Sequence, residues 1–356
     1  MLMTLLSLIS LFHPSADTLI VGSYTSQGNA GIEWILAPNG QKNSEFAVPQ
    51  ASYQYLTDDG QYLFSVSELV NNQGAVYSFK KNSQGNFEKI NQQLTQGDAP
   101  CHINFRKKSQ TLYTANYMGG SVSIFQTKQG NIEQLSQKLE YFSSGKFPQQ
   151  ASSHAHMVVL SKDENQLHIS DLGGDKIYHC KLKPDGLVEA KYSLTQFPSG
   201  TGPRHFVFSA DEKWVYVVGE LSGTIDVYST NEGNWEFVQR EKLDLSTGDG
   251  PKASADIHIS PNGQWLVASN RITRNSLMVF KIKPNGRIKF QHEEQVGKVP
   301  RNFQFNRNGT KIYVACKDED RIQQYLFNPE TGDMQNENKD ISVKSPVAIL
   351  IPQGKN

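Results

Sequence analysis

A single pattern of strands and turns recurs six times along this chain. Each copy contains an apolar strand of alternating polarity, a polar turn and a second apolar strand that continues into a third. The copies begin at Ser52, His102, His156, His205, Asp256 and Asn302, with spacings of 50, 54, 49, 51 and 46 residues. Such a period, with several short strands per unit, is typical of a β-propeller, because each blade can bury its faces only against its neighbours.

A seventh copy is divided between the two ends of the chain. The segment SPVAILIP, around Val347, supplies its first strand, and TLIVGSYTSQGNAGIEWIL, around Leu19, supplies the rest. The sequence therefore predicts an all-β fold, a seven-bladed β-propeller over residues 17–356, whose ring is closed by pairing of N-terminal and C-terminal strands. Truncation at either end is expected to destabilise the whole ring.

Charge and cysteine content argue against several classes of function. Lys plus Arg and Asp plus Glu both number 35, so no overall field attracts nucleic acid or an anionic membrane. The three cysteines show no CxxC spacing and fall in different blades, which disfavours a zinc site or a disulfide framework. We expect Cys101, Cys180 and Cys316 to be small strand residues, and we expect no metal or other cofactor.

Residues 1–16 differ from the repeats. The apolar run MLMTLLSLISLF precedes the small residues Ser15 and Ala16, and the first repeat strand follows at once. This pattern predicts a cleaved signal peptide and a periplasmic or secreted protein. The run is too short for a transmembrane helix, so no stable membrane insertion is expected after cleavage. It contains no Lys or Arg, and a cytoplasmic location is the alternative.

Polar and ionisable residues recur at equivalent positions of the repeats. The first strand of each blade lines the channel of a propeller, so equivalent positions in these strands form a ring. Val or Ile would satisfy the apolar pattern there, yet three histidines and an aspartate occupy the position, and Arg204 and Arg301 precede it in two blades. The inner ring consists of Ser52, His102, His156, His205, Asp256, Asn302 and Val347. The rim ring, at the ends of the second strands, consists of Tyr24, Glu68, Tyr117, Leu172, Glu220, Arg271 and Lys317.

Several of these residues also have purely structural interpretations. His102 and His205 could hydrogen-bond the backbone of a neighbouring blade. Asp256 could pair with a nearby Arg or His, and Arg301 with an acid of the next blade. These alternatives remain open from the residues alone.

Two further sets are expected to contribute little chemistry. Glu68 and Lys317 are predicted to be solvated charges at the rim. His154 and His156 lie two residues apart and would point to the same face of a strand. A metal pair is a weak interpretation of them, because the spacing fixes no third ligand.

Three segments of the sequence are similar to a known family: GTGPRHFVFSADEKWVYVVGELSGTIDVY, SADIHISPNGQWLVASNR and VPRNFQFNRNGTKIYVACK. The sequence resembles the seven-bladed propeller lactonase family, which includes bacterial 6-phosphogluconolactonase and fungal carboxy-cis,cis-muconate cyclase. The resemblance spans all blades and is most specific from Gly202 to Arg271. It implies a metal-independent hydrolase that opens a sugar-acid lactone, with 6-phosphoglucono-δ-lactone converted to 6-phosphogluconate.

The same resemblance implies a set of site residues. In the cyclase branch the residues proposed as catalytic are a histidine, an arginine, a glutamate and a second arginine. They match His156, Arg204, Glu220 and Arg271 of this sequence. Lactone hydrolysis needs a base to activate water, donors for the oxyanion and a proton for the leaving alkoxide. An imidazole suits the base intrinsically, so His156 is favoured over Glu220. The expected substrate-binding residues are His102, His205, Asp256 and Arg301.

Two other functions fit the same pattern. A lactone-forming muconate-type cycloisomerase would use these groups for proton transfer on an unsaturated diacid. A non-enzymatic binding propeller would use its rim loops, although the WD and GH signatures of WD40 scaffolds are missing from this sequence. The expected partner is a small anionic lactone, and export would favour an unphosphorylated one.

Overall fold

Seven β-sheets form a closed ring of blades around a central channel. The computed structural model describes residues 17–37, 39–231, 234–248 and 250–352. The predicted leader, residues 1–16, lies outside this part of the chain. The first strand of each blade contacts the first strands of both neighbouring blades, which closes the ring. The prediction of an all-β, seven-bladed propeller is confirmed.

From the channel outwards, blade 1 consists of β29 (Pro346–Leu350), β1 (Thr18–Ser23), β2 (Gly31–Leu36) and β3 (Gln41–Ala47). Blade 2 consists of β4 (Ala51–Leu56), β5 (Tyr62–Ser67), β6 (Ala75–Lys81) and β7 (Phe87–Leu94). Blade 3 consists of β8 (Pro100–Arg106), β9 (Thr111–Asn116), β10 (Ser121–Lys128) and β11 (Asn131–Glu140). Blade 4 consists of β12 (Ala155–Leu160), β13 (Gln166–Asp171), β14 (Lys176–Leu182) and β15 (Val188–Gln196). Blade 5 consists of β16 (Pro203–Phe208), β17 (Trp214–Gly219), β18 (Thr224–Asn231) and β19 (Asn234–Lys242). Blade 6 consists of β20 (Ser254–Ile259), β21 (Trp265–Asn270), β22 (Ser276–Ile282) and β23 (Ile288–Gln295). Blade 7 consists of β24 (Pro300–Phe305), β25 (Lys311–Cys316) and β26 (Arg321–Phe327), with β27 (Met334–Asn336) and β28 (Ile341–Ser342) both paired to β26. Two short 3-10 helices, Pro148–Gln150 and Lys317–Glu319, lie in connections.

The two ends of the chain close the ring within blade 1. β1 pairs antiparallel with β29, so that Val21 lies opposite Ile349 and Gly22 opposite Ala348. This confirms the predicted pairing of N-terminal and C-terminal strands. A Cβ atom at Gly22 would lie 2.4 Å from the carbonyl oxygen of Ala51 in blade 2, so the close approach of the two blades requires glycine here.

The hydrophobic core lies between the blades and not within them. Within residues 17–352, leaving aside the gaps given above, seven apolar clusters occur, and each joins two adjacent blades. At the closure, Val21 and Ile349 of blade 1 pack with Tyr313 and Ala315 of blade 7, and all four are buried. Because the sheets share their faces in this way, the loss of one strand weakens two interfaces.

The three cysteines are small buried strand residues, as predicted. Cys101, Cys180 and Cys316 lie in blades 3, 4 and 7 and are free thiols. Among the described residues, no helix has both the length and the apolar character needed to cross a membrane.

Candidate active site

A β-bulge interrupts the first strand of the blades at one end of the channel. In blade 5 the pairing steps from Pro203 opposite Gly219 to Phe206 opposite Val217, which leaves Arg204 and His205 in the bulge. A bulge changes the direction in which side chains point. Arg204 and His205 are therefore both buried, although consecutive residues of a regular strand face opposite sides. Equivalent bulges contain Ser52, Cys101, His156, Ala255 with Asp256, and Arg301.

A repeated backbone hydrogen bond fixes the rim ring at the same end of the channel. In every blade the N–H of the residue after the second strand donates to the carbonyl of the residue before the first strand, at 2.8 to 3.2 Å. The donors are Tyr24, Glu68, Tyr117, Leu172, Glu220, Arg271 and Lys317, and the acceptors are Ser345, Gln50, Ala99, His154, Gly202, Ala253 and Val299. The rim ring and the bulges therefore surround one mouth of the channel, which we call the bulge mouth.

Glu220 connects two buried arginines at this mouth. Its Oε2 atom lies 2.8 Å from Nε of Arg204 and 3.1 Å from Nη2 of Arg271. The Arg204 Nε–H is not directed at a hydrogen-bond acceptor, so the contact with Glu220 is ionic, whereas Nη1 donates to the carbonyl of Ala255 at 2.7 Å. Burial lowers the pKa of Arg204, and it lowers the pKa of Arg271 to about 10, against the opposing effect of Glu220. The two guanidinium groups are thus held close together by one shared carboxylate.

A second ionic cluster lies at the same mouth, on blades 7, 1 and 2. Glu68 Oε2 accepts a hydrogen bond from the Tyr24 hydroxyl at 2.9 Å and lies 3.5 Å from Nη2 of Arg301. The guanidinium of Arg301 also lies over the Tyr24 ring, 5.6 Å from its centroid. The prediction that Glu68 is a solvated charge was wrong, because its side chain is only 16% exposed. Lys317 lies outside this cluster and pairs with Asp318 at 2.7 Å.

His156 lies at the same mouth, in the bulge of β12. It is buried, and its Nδ1 has no hydrogen-bond partner among the described residues. Burial, followed by Arg204, holds the pKa of His156 well below its ordinary value. His154 takes no part in this arrangement, since its Nδ1 contacts the Tyr117 carbonyl at 2.9 Å and its ring stacks on Tyr117. Within the described residues, no three His, Cys, Asp or Glu side chains are grouped as metal ligands.

The carboxylate of Asp256 lies deeper in the channel and accepts five hydrogen bonds. Oδ1 accepts from Nδ1 of His205 at 2.7 Å, and Oδ2 accepts from Nε2 of His258 at 2.9 Å and from Asn302 at 2.5 Å. The backbone N–H groups of Ile257 and Phe303 complete the set. Burial alone would raise the pKa of Asp256, but His258 and His205 outweigh it and hold the pKa well below its ordinary value.

The other channel histidines have distinct surroundings. His205 binds a side chain of the next blade, Asp256, and not backbone. Burial lowers the pKa of His205 to about 4, and Arg204 acts in the same direction. His102 accepts a long hydrogen bond from the Val158 N–H at 3.5 Å and lies against the ring of Tyr53. Burial, then His205, keeps the pKa of His102 well below its ordinary value.

The bulges bring many of the predicted site residues to one small cavity. It has a volume of about 10 Å³, close to the space that one water molecule needs. Of the predicted site residues, Glu220, Arg271, Asp256 and His102 are not among those that line it. The lining residues are Ser52, Tyr53, Cys101, His156, Arg204, His205, Arg301, Asn302 and Val347.

Two larger cavities lie away from this chemistry. A groove of 560 Å³ runs between the outer strands of blades 4 and 5, beside Trp235 and His179. A cavity of 520 Å³ occupies the opposite mouth of the channel, where His258 is one of the lining residues. Neither contains any of the buried arginines of the bulge mouth, so size alone does not identify the site.

Sequence reasoning missed Tyr53 and His258. Tyr53 follows Ser52, and its place in the channel depends on the bulge in β4, for which the sequence carries no clear signal. His258 lies two residues after Asp256 in β20, so the period of a strand places both on one face. That spacing was a usable signal for the contact between them.

The arrangement is suited to an anionic ligand and to proton transfer. At the bulge mouth, Arg204, Arg271 and Arg301 supply three positive charges against the two carboxylates of Glu220 and Glu68. A guanidinium offers planar donors to carboxylate, phosphate or a developing oxyanion. Neutral imidazoles at the base of the mouth can accept a proton.

The fold agrees with that of known proteins. A model of the family described as "Lactonase, 7-bladed beta-propeller" matches residues 18–351. A 6-phosphogluconolactonase of Formosa agariphila is 33% identical over 299 residues, which are 81% of this chain and 84% of that protein. The crystal structure of a candidate 6-phosphogluconolactonase of Bacteroides fragilis superposes with a TM-score of 0.89 at 30% identity and covers 95% of this chain and 98% of its own.

A third relative is described as periplasmic. The structure of a periplasmic gluconolactonase of Pseudomonas aeruginosa has a TM-score of 0.88 at 27% identity, with coverage of 95% of this chain and 99% of that one. The family match extends from β1 to just beyond β29, and so includes every blade. This chain belongs to the seven-bladed β-propeller lactonase family.

Proposed function

We propose that this protein hydrolyses δ-lactones of sugar acids and that 6-phosphoglucono-δ-lactone is its substrate. The observation that carries the proposal is the convergence of Arg204, Arg271 and Arg301 on one mouth, beside unprotonated histidines. Two buried guanidinium groups and a third whose side chain is 16% exposed, set against two carboxylates, favour an anionic ligand. The names of the Formosa agariphila and Bacteroides fragilis relatives support the phosphorylated substrate.

The two arginines on Glu220 are the candidates for stabilising the oxyanion. Among the described residues, Nη2 of Arg204 has no protein partner, and Arg271 uses only Nε and Nη2 in its contacts with Ala253 and Glu220. Each guanidinium therefore retains N–H donors for the carbonyl oxygen of a bound lactone. Glu220 is engaged by both groups, so we assign it to holding them in place and not to activating water.

The base is then one of the unprotonated histidines that line the cavity, His156 or His205. Water loses a proton to this imidazole as its oxygen attacks the lactone carbonyl. Collapse of the tetrahedral intermediate breaks the ring C–O bond, and the same imidazole returns the proton to the leaving alkoxide. The new carboxylic acid then ionises to solvent. His102 and Asp256 contact protein groups, and we assign them to supporting His205.

Arg301 is the candidate for the distal anionic group of the substrate. It lies in blade 7, next to blade 6, which carries Arg271, and Glu68 with Tyr24 holds its guanidinium in a fixed orientation. Burial opposes its charge, but Tyr24 and Glu68 raise the pKa of Arg301 above its ordinary value. A permanently charged, oriented guanidinium is suited to phosphate.

A second substrate, glucono-δ-lactone, is favoured by the periplasmic relative and by the predicted leader. Export through residues 1–16 would separate the protein from phosphorylated sugars of the cytoplasm. We therefore propose a periplasmic or secreted location together with the unphosphorylated lactone as the alternative pair. The substrate preference decides between a phosphorylated lactone with a cytoplasmic location and an unphosphorylated lactone with export.

A pH-indicator assay on the purified full chain tests both. Acid release from 6-phosphoglucono-δ-lactone and from glucono-δ-lactone is measured and corrected for spontaneous opening. Arg271→Met should abolish the acceleration, whereas Arg274→Met should retain it, because Arg274 pairs with Glu293 away from the mouth. Acceleration of neither lactone by the wild-type chain would overturn the proposal and favour a cycloisomerase or a binding propeller.

A further inference from the structure

The channel contains an aspartate–histidine pair that is built like the orienting half of a catalytic triad. His205 and Asp256 come from the bulges of adjacent blades, and His205 Nδ1 lies 2.7 Å from Asp256 Oδ1. Both residues are at least 95% buried. The second oxygen of Asp256 is fixed by His258 and Asn302, so the carboxylate cannot turn away from His205.

This contact determines the tautomer of His205. An ionised carboxylate only accepts hydrogen bonds, so Nδ1 of His205 carries the proton. The other ring nitrogen, Nε2, is then unprotonated, and it lies on the side of the ring away from Asp256. His205 lines the small cavity beside Arg204 and Arg301. The pair therefore presents a proton acceptor to the place where the proposed lactone carbonyl is attacked.

Charge distinguishes His205 from His156. A proton on His156 would face Arg204, Arg271 and Arg301 without a carboxylate of its own in hydrogen-bond contact. A proton on His205 would be compensated at 2.7 Å by Asp256.

We infer that His205 is the base of the proposed lactone hydrolysis and that Asp256 is its positioning residue. The inference rests on the proposed function and deepens it. His205 Nε2 takes one proton from water and returns it to the alkoxide, while the proton on Nδ1 stays with the Asp256 contact. His258 holds the far oxygen of Asp256 from the opposite mouth of the channel, where its side chain is 20% exposed.

The charged and titratable groups around His205 come from four other blades and from its own strand. Burial and Arg204 oppose protonation of His205, as does His258 to a smaller extent, whereas Asp256 favours it. These groups are Tyr53 of blade 2, His102 of blade 3, His156 of blade 4, Arg204 of blade 5, and Asp256 and His258 of blade 6.

Asp256→Asn in the full-length protein tests the inference. The amide of asparagine can donate to Nδ1, which would transfer the ring proton to Nε2 and remove the acceptor. We expect kcat to fall by about 10²-fold to 10⁴-fold with little change in KM, because the arginines are untouched. We also expect the acid limb of the pH profile of the residual activity to move to lower pH. Asp226→Asn is the matched control, since Asp226 is equally buried but pairs with Arg240 in the outer part of blade 5.

A second measurement does not depend on turnover. Long-range ¹⁵N NMR of the wild-type protein should show His205 protonated at Nδ1 and free at Nε2 at neutral pH. The opposite tautomer would overturn the inference, even if Asp256→Asn fails to fold. An unchanged kcat in folded Asp256→Asn would also overturn it, as would a loss of the acid limb in His156→Gln alone. If the wild-type chain opens neither lactone, the proposed function fails, while the NMR result still tests the positioning of His205.

Discussion

Nε of Arg204 and Oε2 of Glu220 lie 2.8 Å apart at the open end of one hairpin in blade 5. Arg204 is in the bulge of β16, and Glu220 follows the last residue of β17. The rim hydrogen bond from the Glu220 N–H to the Gly202 carbonyl brings these two chain segments together. The ion pair is therefore a local consequence of the blade pattern, whereas its second arginine, Arg271, comes from blade 6.

Glu220→Gln should destabilise the protein strongly. The substitution leaves the charges of Arg204 and Arg271 without a shared carboxylate in a site where Arg204 is 2% exposed. Breaking a buried pair from one side costs about 3–5 kcal/mol of the free energy of unfolding. Urea unfolding measures the change, with Glu319→Gln as the control, because Glu319 pairs with the more exposed Arg321. A cost below about 1 kcal/mol would show that the pair does not organise the mouth.

Arg301→Met should separate the two proposed substrates. If this guanidinium binds the phosphate, its loss removes a charge-assisted contact and should raise KM for 6-phosphoglucono-δ-lactone by about tenfold to hundredfold. KM for glucono-δ-lactone should change little. Steady-state assays of both lactones provide the test, and Arg321→Met, which removes a surface arginine, is the control. Equal effects on both substrates would remove Arg301 from phosphate recognition.

Ile349→Ala should weaken the closure of the ring. Ile349 in β29 is buried between blades 1 and 7, and truncation of such a side chain costs about 2–5 kcal/mol. Urea unfolding followed by far-UV circular dichroism and by tryptophan fluorescence should show one shifted transition in both signals. Leu326→Ala, at a position that is 43% exposed in β26, should shift it little. Two separated transitions would contradict a ring that unfolds as one unit.

The blades and their number follow from the sequence because the repeat is long and six of its seven copies are uninterrupted. The divided seventh copy also indicated the closure correctly, since Val347 and Leu19 lie in the strands that pair. Equivalent positions of a repeat occupy equivalent places in a ring. The inner ring and the rim ring were therefore predictable without knowledge of any side-chain contact.

The contacts within the site were less predictable, for two physical reasons. A bulge adds one residue to a strand, and the alternation of polarity does not reveal whether Arg204 and His205 face opposite sides or the same channel. The burial of Glu68 depends on Arg301 and Tyr24, which belong to blades 7 and 1 and are distant in sequence from it. The ring geometry brings such residues together, and no local pattern encodes the pairing.

Backbone strain next to Arg271 provides another test. Ile272 has a φ of 64°, a left-handed conformation that β-branched residues rarely adopt, and it is 73% exposed. Because asparagine tolerates this conformation, Ile272→Asn should raise the free energy of unfolding by about 1 kcal/mol. Val70→Asn, at a position that is 45% exposed and has no positive φ, should change stability by less than about 0.5 kcal/mol. A lower stability of Ile272→Asn would mean that the side chain makes contacts that outweigh the strain.

Buried neutral histidines should make the protein sensitive to mild acid. Burial lowers the pKa of His168 to about 3 and those of His179 and His205 to about 4, from an ordinary value of 6.5. Between these values and 6.5 the unfolded chain binds protons that the folded chain does not, so the free energy of unfolding falls as pH falls through this window. Each such proton contributes a slope of about 1.4 kcal/mol per pH unit.

Urea unfolding at several pH values from neutral down to about 5 measures this slope before most carboxylates titrate. His168→Phe should reduce this slope by the contribution of about one proton. The phenyl ring can occupy the aromatic surroundings formed by Phe208 and Trp235, and it does not titrate. The variant loses the contact of His168 Nδ1 with His179 Nδ1, so its absolute stability can differ while the slope remains informative. A free energy of unfolding that stays constant over this range would contradict the assignment of these histidines as neutral in the folded protein.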